Sequence, residues 1–190
     1  MKLFRTILLG LVILSVLSVA GFAQVDHLGK TDTVYADLTQ INDNSWSITI
    51  NVTNDENILG LSVPLKLSGG NTKVVADSAS YAGGRIENFA YKGFRPDTSI
   101  QCVMLGMIAN LGPTSNKLAP GSGRLVTIFV SSLKGEKIEK LSVDTTTLSP
   151  DNSLMLVADA GDIVKEADTI PKHLDTRLEI YPAFITRFSK

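Results

Sequence analysis

Cysteine is nearly absent from the 190-residue chain: Cys102 is the only one, so no intramolecular disulfide can form and the fold must hold through burial. Cys102 lies in the apolar run Ile100 to Ile108, where a small buried hydrophobe is expected instead of a reactive thiol. Histidine is almost as scarce. His27 and His173 are the two present, and neither stands in the spacing of a zinc site or a catalytic triad. A nucleophile elbow of the Gly-x-Ser-x-Gly kind is missing; Gly121-Ser122-Gly123 lacks that spacing and reads as a loop entering a strand. No concentrated basic patch is present, which excludes a nucleic-acid partner.

The acidic side chains offer little more chemistry. Asp55, Glu56, Asp159 and Asp162 could supply the carboxylate pair of a glycosidase, but each falls in a probable turn, where acids serve solvation and local hydrogen bonds. Asp159, Asp162 and Asp168 are oxygen ligands close in sequence without a recognised calcium loop. Asp26, His27, His173 and Asp175 could meet only if the two ends of the chain come together. Neither group makes a convincing metal site, so no metal or other cofactor, and no enzymatic activity, is expected.

What is present begins with Met1 to Ala23. Lys2 and Arg5, the apolar stretch Ile7 to Leu17 and the small residues Gly21 and Ala23 have the order of a secretory signal peptide. The apolar stretch is shorter than the roughly 20 residues of a membrane span, and no second apolar span follows. Cleavage after Ala23 would leave 167 of the 190 residues, one ordinary domain. Of the 18 basic side chains two would leave with the signal, so 16 would face 19 acidic ones, a net charge of −3. The mature chain is expected to be secreted, periplasmic or extracellular, with a short lead over residues 24–32.

Beyond that lead, short runs of Val, Ile, Leu and Thr alternate with Gly, Asn, Asp and Pro, the punctuation of an all-β fold. In Ser45 to Thr53, Trp46, Ile48, Ile50 and Val52 alternate with polar residues, a half-buried strand; Trp46 belongs to its core face. Leu59 to Leu67 repeats the pattern. Across the turn Asn54-Asp55-Glu56-Asn57 the two runs read as neighbouring strands. Pro64 should face an edge or a bulge. Lys73 to Ser80 is a further strand. Ile100 to Ile108 and Leu125 to Val130 are apolar on both sides, as in strands covered on both faces. More strands are expected at Thr33 to Leu38, Lys140 to Asp144, Leu154 to Ala158 and Arg177 to Tyr181. About nine strands without an amphipathic helix predict two packed antiparallel sheets.

Large rings gather outside these strands, in Tyr81 to Pro96: Tyr81, Phe89, Tyr91 and Phe94, with Arg85, Lys92 and Arg95 among them. Aromatic rings can stack on sugars, so Tyr81, Arg85, Phe89, Tyr91 and Phe94 are the candidate ligand-binding residues of a carbohydrate-binding module; equally, the rings could cap an open end of the sandwich. Asn51-Val52-Thr53 matches a glycan acceptor inside a strand.

The order of pieces resembles the cohesin-type domain family. Ile50-Asn51-Val52-Thr53-Asn54-Asp55-Glu56 precedes Leu59-Gly60-Leu61-Ser62-Val63-Pro64-Leu65-Lys66. Val74-Val75-Ala76-Asp77-Ser78 follows, then a strand ending Gly106-Met107-Ile108, then Gly121-Ser122-Gly123-Arg124-Leu125-Val126-Thr127-Ile128-Phe129. The resemblance spans Thr33 to Tyr181 and leaves 182–190 as a tail. It implies a nine-stranded antiparallel jelly-roll β-sandwich, exported and non-catalytic, that binds a protein partner through one sheet face. The partner implied is an exported or cell-surface protein, a dockerin-like module among the possibilities; polysaccharide is the alternative. No segment has the paired calcium loops of a dockerin.

Overall fold

The computed structural model describes residues 28–110, 116–159 and 177–188. Among the described residues eleven strands make up two sheets: β1 (Thr33–Asn42), β2 (Ser45–Asn54), β3 (Ile58–Ser68), β4 (Val74–Ser80), β5 (Tyr91–Asp97), β6 (Cys102–Ile108), β7 (Gly121–Ser132), β8 (Ser142–Thr145), β9 (Met155–Asp159), β10 (Arg177–Ile180) and β11 (Ala183–Phe188). The first sheet runs β11-β1-β2-β7-β4 and the second β10-β9-β3-β6-β5, with β8 also paired to β3. Among the described residues no helix is long and apolar enough to cross a membrane.

Period-two alternation sets the two inner faces. In β2, Trp46, Ile48, Ile50 and Val52 are buried while the residues between them are half-exposed. In β3 a register shift between Ile58 and Gly60 resets the phase, so Ile58 is buried, Leu59 is only partly covered, and Leu61, Val63, Leu65 and Leu67 continue the core. Leu105, Met107 and Ile128 close it from β6 and β7. Burying one such side chain contributes about 1.5–3 kcal/mol.

Four expectations are corrected. β2 and β3 are not neighbours: β2 pairs with β1 and β7, and β3 with β6, β8 and β9. Alternation specifies that each strand has an apolar face, and the chain satisfies both by crossing between sheets at Asn54–Asn57, so the faces meet across the core. The Asn54 amide fixes this crossing by donating to the carbonyls of Glu56 (2.6 Å) and Ala119 (3.2 Å). Second, β6 and β7 are not covered on both sides. Their outward residues Ile108 and Phe129 are 38% and 39% exposed. Third, Tyr91–Asp97 is an edge strand paired to β6, although Gly93 and Pro96 broke the sequence signal; an edge tolerates both. Fourth, β11 lies within the expected tail and pairs parallel to β1, an exception to the otherwise antiparallel pairing.

Pro64 illustrates how the sheet accommodates a missing donor. Its carbonyl accepts from Thr146 N–H at 3.2 Å, so its nitrogen also points to that side. There β9 pairs only as far as Ser62 and β8 begins at Leu65, leaving no strand carbonyl unpaired by the proline.

Two side-chain contacts reach the backbone of outer strands. On β5 the Tyr81 hydroxyl donates to the Gly93 carbonyl at 3.0 Å. On β8 the Thr186 hydroxyl of β11 donates to the Val143 carbonyl at 2.8 Å.

Candidate functional site

Each sheet also presents an outward face. Register defines what each presents. On the second sheet one row runs Glu179, Val157, Gly60, Ile108, Tyr91, and the next runs Met155, Ser62, Gly106, Gly93. Small residues therefore meet on β3, β6 and β5, and Val157 and Met155 stand on one side of them with Tyr91 and Ile108 on the other. The result is a shallow trough with apolar borders.

Tyr91 lies in this trough. A Cβ on Gly93 would stand 2.7 Å from the Tyr91 hydroxyl oxygen and 3.0 Å from Cε1, and one on Gly106 would stand 3.9 Å from Cε1. The ring thus lies over the glycine two positions along its own strand, and it is still 51% exposed. Gly93 is required by this close approach, not by an unusual backbone angle.

The opposite end of the face is charged. Its last row runs Asp144, Lys66, Cys102, Asp97. The Lys66 ammonium donates to the Ile100 carbonyl. Asp97 Oδ1 accepts from Ser99 N–H (3.0 Å), Ser99 Oγ (2.5 Å) and Ile100 N–H (3.4 Å); the Ser99 hydroxyl bond is the main reason its carboxyl titrates below the ordinary range, with desolvation opposing it and the two backbone bonds adding to it. Cys102 is buried, as expected, and desolvation pushes its thiol up, opposed by nearby Lys66 and reinforced by Asp97.

The first sheet presents a different surface. Ser45, Ser47, Thr49, Thr127 and Ser131 surround the exposed Phe129 at its centre, and Arg187 pairs with Asp37 at 2.9 Å and lies over the Tyr35 ring at 4.0 Å. The Asn51 amide also donates to Asp37 at 2.7 Å, which engages the asparagine of the glycan-acceptor triplet.

The five residues singled out from the aromatic segment do not form one surface. Phe89 is 4% exposed and belongs to the core; Tyr81 and Phe94 are partly buried against it. Burial, and secondarily the charge of Tyr91, raises the Tyr81 phenol pKa. Arg85 donates to the carbonyls of Val52 (3.2 Å), Gly121 (3.0 Å) and Ala119 (2.5 Å) and to Asn54 Oδ1 (2.9 Å). It ties the β2–β3 crossing to the loop before β7, and desolvation lowers its pKa, partly offset by Asp32. Tyr91 alone of the five stands on the open face. Ile108, Val157 and Met155 were not singled out from sequence, although the alternation of their strands assigns them outward positions. Trp46 is in the core as expected, 8% exposed.

Of the acids weighed as ligands, Asp26, His27, Asp162, Asp168, His173 and Asp175 lie outside the described residues. Asp159 forms an ion pair with Lys117. Asp55 and Glu56 instead gather with Asp32, with one oxygen from each lying within 4.8 Å of the others, a donor set suited to a hard cation. Asp55 Oδ2 accepts from Lys30 N–H at 2.7 Å, and Asp32 Oδ1 from Asp55 N–H at 3.3 Å.

No protein-family model matches the chain, and no curated protein matches it in sequence. Solved structures do. A type I cohesin–dockerin complex from Clostridium thermocellum aligns at TM-score 0.57 and 10% identity over 84% of this chain and 100% of that one. The sixth cohesin of scaffoldin B from Acetivibrio cellulolyticus, solved with a mutant Cel5 dockerin, aligns at 0.53 and 9% over 84% and 100%. A non-cellulosomal cohesin from the hyperthermophilic archaeon Archaeoglobus fulgidus aligns at 0.50 and 10% over 85% and 93%. Two packed sheets, aligned with such domains over 84–85% of the chain, give it a cohesin-type β-sandwich fold.

Proposed function

We propose that the chain is an exported, non-catalytic binding module that captures a protein partner on the outward face of the second sheet. The observation that carries this reading is the trough of Gly60, Ser62 and Gly106 on the outward face of the second sheet, with the half-exposed Tyr91 ring folded over Gly93 at one end and Ile108, Val157 and Met155 beside it. Two of the structural neighbours are described with a bound dockerin, and a dockerin-like module on another exported protein is the partner class this reading favours. A polysaccharide platform in the 81–94 segment would have Tyr91 as its one exposed ring, and no specific observation favours it.

The reading is tested by immobilising residues 24–190 and exposing them to exported proteins from the source cell. A partner should be retained, then lost on Tyr91→Ala or Ile108→Lys while the variants stay folded. Retention that both variants leave intact would count against the face.

A further inference from the structure

We draw no further inference here: the strongest candidate, the carboxylate cluster of Asp32, Asp55 and Glu56 at the β2–β3 end of the sandwich, is an acidic cluster with no second observation pointing to a ligand.

Discussion

Replacing Arg85 separates an architectural role from a ligand-binding one. Its guanidinium donates four hydrogen bonds that join β2, the crossing at Asn54 and the loop at Ala119–Gly121. A hydrogen bond from a charged group contributes about 1.5–3 kcal/mol. Four such bonds would overstate the loss, because Arg85 is only half-buried and water can replace it at the outer acceptors Ala119 and Gly121. Counting Val52 and Asn54 alone gives about 3–6 kcal/mol, and discounting for the half-exposed guanidinium Arg85→Ala should cost about 2–4 kcal/mol. For a domain of this size that lowers Tm by roughly 4–16 °C. Arg85→Lys should recover only part, because an ammonium is a point donor that cannot span a fork of acceptors. Urea unfolding followed through Trp46, the only tryptophan and a buried one, measures both variants. An Arg85→Ala protein within about 0.5 kcal/mol of wild type, the range of an ordinary surface substitution, would refute the clasp.

Other positions give sharper contrasts. Gly84→Ala would put a Cβ 2.2 Å from the Leu125 carbonyl oxygen, a backbone clash that should cost about 1–3 kcal/mol or more by overpacking, read in the same urea assay. Gly93→Ala should displace the Tyr91 ring at little cost to stability while weakening partner binding as Tyr91→Ala does, whereas Gly106→Ala, with its nearest contact at 3.9 Å, should leave the ring in place; chemical shifts of the ring protons distinguish them. Leu105→Ala should cost about 2–5 kcal/mol, because the side chain is fully buried between the sheets. Asp97 has a folded-state pKa below its ordinary 3.8, so its contribution to stability is present above the unfolded value and is lost as pH falls through the lower folded one. Carboxyl NMR should show it titrating later than exposed aspartates on acidification, and Ser99→Ala should bring it back up.

How far the sequence could be read depended on whether a feature was local. Alternation in Ser45–Asn54 placed Trp46, Ile48, Ile50 and Val52 in the core, since a strand's period assigns faces. It does not assign neighbours, so β2 and β3 were read as a pair when they lie in different sheets. β5 was hidden because Gly93 and Pro96 have poor strand propensity and only the edge position makes them acceptable. β11 was hidden because its pairing is to β1, at the other end of the described chain. The candidate face was legible only in part. Tyr91 was visible as an aromatic residue, but Gly60, Gly106 and Gly93 sit on three separate strands and become one trough only through the order β3-β6-β5. Phe94, three positions from Tyr91, has the opposite parity and turns inward.

The measurement that bears most directly on partner capture is calorimetric titration of the retained partner against wild type, Ile108→Lys and Thr49→Lys, the last a control on the hydroxyl-rich first sheet. A buried lysine without a counter-charge at the centre of an interface, with the loss of an apolar contact, should weaken binding by at least about 30-fold, the 2 kcal/mol of an interface hot spot. Thr49→Lys should change the affinity less than about twofold, within the ±0.5 kcal/mol of a neutral surface site. Loss of binding in Thr49→Lys with Ile108→Lys unaffected would contradict the account and move the partner to the other sheet.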